Sequence, residues 1–225
     1  MVTTSTSADA PIRRRNPEHT REEILDVAIR EFSRHGFSGA RVDEIAAQTR
    51  TTKRMIYYYF GGKEQLYIAV LERAYSILRD AEARLNVDHL DPVAAIRRLA
   101  QLTLDHHEAH PDFIRLVAIE NIHQAEHIAK SEMLRGMKSP VVSATARTLE
   151  RGYRAGVFSR QVDAVDLHMM ISAFCFFRVA NRGTFGASGG CFCTTVQNSP
   201  SVFAGCSPMV RTTSICFSTP VPSSG

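Results

Sequence analysis

Apolar residues recur at three- and four-residue spacing through most of this chain, which is the period of amphipathic helices. The first stripe is Ile24, Ala28 and Phe32 with Leu25 and Ile29 beside it, in a segment that Thr20 and Glu23 open at capping-box spacing and Gly36 stops. A short second helix is predicted from Val42 to Thr49, burying Val42, Ile45 and Ala46, with Asp43 and Glu44 in the first turn where the helix dipole favours them. A third starts after Thr52, a good N-cap, and runs to the Gly61-Gly62 stop; only Met55, Ile56 and Phe60 in it are wholly apolar. Lys63-Glu64 then opens a long helix whose buried line is Leu66, Val70, Ala74, Ile77 and Ala81.

Past Asn86 the pattern continues without an obvious polar working face. Asp91-Pro92 supplies an N-cap and a first helical residue, followed by Val93, Ile96, Leu99, Ala100 and Leu104 on one side. His110-Pro111 breaks that helix and starts another that buries Phe113, Leu116, Val117 and Ile119. A further helix from Pro140 to Tyr153 ends at Gly156, and Asp163 caps one that contains Leu167, Met170, Ile171, Phe174, Phe177 and Arg178. The expectation is an all-α chain: an N-terminal three-helix helix-turn-helix domain joined by a long helix to a C-terminal helical bundle, with an irregular tail. The segments expected are a flexible basic arm (1–17), the helix-turn-helix domain (18–78), a helical domain (79–182), to which the family resemblance given below assigns ligand binding and dimerisation, and an anomalous tail (183–225).

Composition bounds what such a chain does. At 225 residues with 44% apolar content it has the material for two small helical domains. The most apolar run, Val165 to Ala180, is interrupted by Asp166, His168 and Arg178 and is too short and polar to cross a bilayer, and the N-terminus has no secretory core. The expectation is a cytoplasmic protein without a membrane span. A net charge of +4 is modest, so basic residues matter only where they cluster. One cluster is Arg13, Arg14 and Arg15, which either track phosphates or form a solvated tail.

The other cluster carries the chemistry. A recognition helix presents its N-terminal side chains to base edges in a major groove about 12 Å wide. Lys53 and Arg54 stand at the N-terminal end of the third helix, and Tyr57, Tyr58 and Tyr59 follow; tyrosine hydroxyls donate to phosphates and their rings lie against sugars or thymine methyls. Three consecutive tyrosines point three ways, so one of them, Tyr57 or Tyr59, packs beneath the helix while the others face out.

The stretch from Thr20 to Leu71 resembles the DNA-binding domain of the TetR (tetracycline repressor) family of transcriptional regulators. The resemblance rests on ILDVAIREFSRHGF, VDEIA and above all IYYYFGGKEQLYIAVL. It implies that Arg41, Thr52, Lys53, Arg54, Met55, Tyr57, Tyr58, Tyr59 and Lys63 touch a double-stranded DNA operator. It also implies a homodimer on a palindromic operator, released by a small-molecule effector, with no catalytic residue, no cofactor and no metal. Half-sites are expected about one helical turn apart or a little more. Two departures stand out. Arg50 occupies the turn where the family has Gly, which would put a non-glycine residue at positive φ. Ala40 and Arg41 replace the usual Thr or Ser, removing an N-cap oxygen at a cost on the order of 1 kcal/mol. Arg41 either contacts phosphate at that helix start or is a solvated surface arginine.

Candidate effector-binding residues are Phe113, Leu116, Val117, Glu120, His123, Met170, Phe174 and Phe177, for each of which plain core packing is the competing account. His106, His107, His110, His123 and His127 cluster, and Glu120, His123 and His127 would share one helical face. That spacing raises a different class of protein, a metal-binding helical protein or metalloenzyme, against surface or core-edge histidines with no such role. Finally, from Gly183 the chain has no acidic residue, no lysine, only Arg211 as a basic group, and four of the five cysteines (Cys191, Cys193, Cys206, Cys216). This composition supports neither a long helix nor a zinc pattern, and reads as a shifted reading frame after about Arg182 or as a divergent, disordered extension. The family closes its dimer with two C-terminal helices; only the first, Asp163 to Arg182, is legible, which leaves a truncated regulator with impaired dimerisation as a third reading.

Overall fold

The computed structural model describes residues 17–188, which form helices and short connections with no strand. They fall in two units: one through Asn181, and one that begins at Arg182 and contributes the short helix α10 (Arg182–Ala187) among the described residues. The basic arm, apart from Pro17, and the tail from residue 189, with its four cysteines and the reading-frame question, lie outside the described residues.

In the first unit α1 (Pro17–Gly39) is followed by α2 (Val42–Gln48), α3 (Lys53–Phe60) and the long α4 (Lys63–Ala83). Then come α5 (Pro92–Ala109), α6 (Pro111–Ile122), a single 3-10 turn at Ile128–Lys130, α7 (Glu132–Gly136), α8 (Pro140–Arg154) and α9 (Ala164–Ala180). α1 begins at Pro17, whose fixed φ suits a first helical residue, so Thr20 sits inside the helix and is buried; the capping box expected there does not form. Gly36 does adopt the left-handed conformation (φ 67°), but there it kinks α1, and a last turn continues to Gly39.

The core of this unit joins α1 to α4 with α6. Ile24, Ala28, Phe32, Ile45, Ile56, Leu66, Tyr67 and Leu71 pack with Phe113, Ile114 and Leu116 in one cluster. The line expected on α4 holds to Ala74 and then turns: Leu78 and Glu82 are buried where Ile77 and Ala81 had been expected. Repeated i+4 steps drift around a helix of 3.6 residues per turn, so a long helix changes its buried face along its length. On α5 the difference is larger. Ala95, Leu99, Thr103, His106 and His107 face inward, whereas Val93 is exposed. The histidines expected at a surface or core edge are therefore, at 106 and 107, interior groups. A second cluster of Val87, Ala95, Leu99, Val141 and Ala144 ties α5 to α8.

Caps fix the ends much as the residue types dictate. Asp91 accepts the N–H groups of Val93 and Ala94 at 3.1 and 3.0 Å, Asp163 those of Val165 and Asp166 at 2.8 and 3.1 Å, and Gly156 takes φ 68° past the end of α8.

Candidate nucleic-acid interface

Two short helices and a tight turn build the surface that carries the cations and tyrosines. The turn is closed by Thr49, whose hydroxyl donates to the Ile45 carbonyl at 2.8 Å, and by the Thr51 N–H donating to the Ala46 carbonyl at 3.2 Å. Between them Arg50 takes φ 51°, so the non-glycine residue does occupy the left-handed region. Thr52 caps α3 by accepting the Met55 N–H at 3.2 Å. At the far end Gly61, φ 87°, donates its N–H to the Tyr57 carbonyl at 2.7 Å and terminates the helix.

α3 is anchored by Ile56 and Phe60, which are buried, and this decides where everything else points. Thr52, Lys53, Arg54, Met55, Tyr57 and Tyr58 are exposed together on the outer side and N-terminal end, Tyr58 most of all at 80%. Tyr59 is the tyrosine that packs: it is half-buried against the core, with its ring edge-on to Tyr58 at 5.7 Å. Lys53 lies 3.0 Å from Asp43 of α2, an exposed pair whose hydrogen bond raises the lysine pKa. Arg54 is exposed and forms no ion pair among the described residues.

The other two cations differ. Lys63 turns back onto α1: its ammonium donates to the Ser38 carbonyl at 3.2 Å and stands 5.1 Å over the Phe37 ring, and partial burial lowers its pKa. It clamps the start of α4 to the end of α1. Arg41 is exposed at the N-cap of α2 and offers no side-chain cap. A residue that sequence reasoning missed supports it: Glu31 of α1 accepts the Arg41 backbone N–H at 3.1 Å. A buried acidic residue on the inner face of α1 was the available signal.

Against α1 and α4 the chain makes a buried polar knot. α6 ends at Ile122, and Gln124 and Ala125 then take φ 55° and 59°, which turns the chain back so that His127 meets Glu120. The Glu120 carboxylate is buried and accepts the His127 and Ile128 backbone N–H groups at 3.2 Å each, while His127 Nδ1 lies 3.1 Å from its other oxygen. The His127 ring packs on Phe37 and Tyr67 at 4.5 and 4.8 Å. Lys130 bridges Glu64 at 2.6 Å and Glu126 at 2.9 Å. The metal trio expected on one helical face is not formed, because the helix ends before His123, which is exposed. Among the described residues, the metal-ligating atoms that gather in threes within 4.8 Å are those of Glu64, Glu126 and His127, where the Lys130 ammonium already bridges the two carboxylates.

Of the eight residues suggested for an effector, Phe113 and Leu116 share the core cluster with Val117 packed against it, and His123 is exposed. Phe113, Leu116 and Glu120 are interior and Val117 is half-buried, whereas Met170, Phe174 and Phe177 are exposed on α9.

Comparison with known proteins fits this geometry. The family model for bacterial regulatory proteins of the tetR family matches residues 24–70, and that for the tetracyclin repressor-like C-terminal domain matches residues 92–201. The HTH-type transcriptional repressor NicS of Pseudomonas putida is 37% identical over 176 residues, covering 78% of this chain and 83% of that protein. The HTH-type transcriptional repressor SCO4008 of Streptomyces coelicolor is 35% identical over 159 residues, covering 71% and 78%. Among solved structures, the putative transcriptional regulator SCO4942 of Streptomyces coelicolor superposes with a TM-score of 0.57 at 30% identity, over 81% of this chain and 89% of that one. With Thr52 capping a helix that turns Arg54 and Tyr58 outward, and relatives of this likeness, the chain belongs to the TetR family of DNA-binding, helix-turn-helix transcriptional regulators.

Proposed function

We propose that this regulator is a repressor that binds a palindromic operator as a homodimer, one α3 per half-site, and is released by a small molecule held in its helical bundle. Thr52, Lys53, Arg54, Met55, Tyr57 and Tyr58 make the base and phosphate contacts, Arg41 touches phosphate beside them, and Tyr59 and Lys63 hold the helix in place. The observation that carries the dimer is α9. Met170, Phe174 and Phe177 are exposed on it, Phe174 at 69%, at the four- and three-residue spacing of a helix seam, and Val165 and Met169 add exposed apolar surface earlier on the same helix. A run of large apolar side chains on one helix is what a partner helix covers. Both relatives described above are named as repressors, which supports the sign of regulation. Release then follows from linkage: an effector that binds the DNA-incompetent arrangement more tightly weakens operator affinity by that difference.

Sedimentation of the full chain, with Phe174→Glu as the variant, tests the pairing. The native chain sediments as a dimer and the variant as a folded monomer. A native monomer would instead support the reading in which the segment from residue 183 impairs pairing.

A further inference from the structure

Two cations open α3, and they are not equivalent. Lys53, its first residue, reaches back to α2, where its ammonium donates to Asp43 Oδ2 at 3.0 Å. Arg54, the next residue, is exposed and forms no ion pair among the described residues. The acids of α2 differ in the same way: Glu44 stands beside Asp43 in the first turn, exposed and without an ion pair among the described residues. The Asp43–Lys53 pair therefore joins the two helices of the helix-turn-helix at one point, and it does so in water, the side chains being 70% and 48% exposed. The hydrogen bond and charge of Asp43, with the nearby Tyr57 hydroxyl, raise the lysine pKa and keep the ammonium charged.

A carboxylate against Lys53, at the end of α3 that also carries Arg54, works against phosphate attraction. That attraction comes from net charge, through the counterions released as phosphates are neutralised, and it carries no sequence information. A lysine bound to a carboxylate adds no net charge to it. The lysine nonetheless keeps directed donors: of the three N–H groups on an ammonium, Asp43 takes one, and the others are left for acceptors such as guanine O6 and N7. Pairing also restricts where the ammonium goes, which the flexible four-carbon stem of a free lysine does not. The helix dipoles favour the same arrangement. A cation in the first turn of α3 is opposed by the positive end of that helix, and Asp43 offsets it from the first turn of α2, where an acid is favoured. An exposed pair is weak, so a phosphate can displace Asp43, and the effect on affinity is a modest factor and not a block.

We infer that Asp43 is a specificity-determining positioning residue: it keeps Lys53 paired as α3 meets DNA, so that Lys53 offers its remaining N–H donors to a base edge but offers phosphates no net charge. Arg54, which has no such partner among the described residues, supplies the charge. This rests on α3 as the DNA-reading helix, and it assigns the two neighbouring cations different work. Non-operator DNA, held by phosphates alone, gains nothing from Lys53, whereas an operator with an acceptor in reach gains a directed hydrogen bond.

Fluorescence anisotropy of the full chain across a salt series, on the DNA flanking its own gene and on a random-sequence duplex of equal length, reads both effects. Asp43→Asn should bind the random duplex about two- to fivefold more tightly, with a salt slope steeper by about one phosphate contact. Its affinity for the flanking DNA should rise less, so the ratio between the two duplexes falls. Asp43→Glu, which keeps the carboxylate, should restore the native ratio. The double variant Asp43→Asn with Lys53→Met exchanges a neutral pair for a neutral pair; it should match the native chain on the random duplex and lose at least about fivefold on the flanking DNA. If the native chain prefers neither duplex, the random-duplex affinity and slope decide alone. Asp43→Asn that leaves the random-duplex affinity and slope unchanged, or that weakens both duplexes alike, overturns the assignment. Arg54→Ala separates this from the reading beneath it. Flanking-DNA affinity lowered by Arg54→Ala but indifferent to Asp43→Asn and to the double variant sustains α3 and overturns the role of Asp43, whereas specific binding that none of these substitutions changes overturns α3 itself.

Discussion

The backbone N–H of Arg41, the residue that precedes α2, donates to Glu31 Oε1 of α1 across 3.1 Å. α2, which packs against α3, therefore has the backbone of its N-cap residue tied to another helix, although no side chain caps its first free N–H groups. Glu31 is buried, Arg41 is exposed, and the bond between them is partly buried. Glu31→Ala should cost about 1 to 3 kcal/mol in urea unfolding, with Glu31→Gln retaining an acceptor and losing less. Equal, negligible losses in both variants would show that the bond does not matter.

Arg50 makes the opposite prediction. At φ 51° a side chain is strained and glycine is not, so Arg50→Gly should stabilise the chain by up to about 1 kcal/mol, after the entropy that glycine adds to the unfolded state. A shift of the urea midpoint to higher denaturant checks it; a clear shift to lower denaturant would mean that the arginine side chain contributes more than the strain costs.

Breaking the Glu120–His127 knot should be far more severe. Glu120 is 1% exposed and serves two backbone N–H groups and the His127 ring, so Glu120→Ala leaves three groups without their partner, the two on His127 buried and the Ile128 N–H partly so. A loss of about 3 to 5 kcal/mol is expected in thermal or urea unfolding. A loss under about 1 kcal/mol would contradict the burial of this carboxylate.

Acid should unfold the bundle early. His106 and His107 have folded-state pKa values of about 4 against 6.5 ordinarily, so between those values the unfolded chain binds more protons than the folded one. The contribution of the neutral rings is fully present above pH 6.5 and falls away as pH drops toward 4, by roughly 3 kcal/mol for each ring at most. Urea midpoints at pH 7, 6 and 5 should decline, and His106→Phe should flatten that decline; a profile level from pH 7 to 5 would show that these rings are not buried neutral.

How much of this was legible in the sequence varies with how local the cause is. Thr52, Asp91 and Asp163 act on N–H groups two or three residues away, and all three caps were readable from residue type. The outward set on α3 was readable too, because Ile56 and Phe60 are its only buried apolar anchors. What sequence missed was set by distant contacts. The inward turn of His106 and His107 depends on α4, α6 and α9, Glu31 reaches ten residues along the chain, and Glu120 meets His127 only because Gln124 and Ala125 reverse the chain. Thr20 failed for a local reason, since Pro17 starts the helix a turn earlier.

The most direct measurement is a salt-dependent gel shift of the purified full chain against the DNA flanking its own gene, with Arg54→Ala and Tyr58→Ala alongside. Both side chains are exposed on α3, so both substitutions should leave the fold intact while weakening specific retention by about 1 to 3 kcal/mol each. Specific retention that neither substitution changes would contradict the assignment of α3 as the helix that reads DNA.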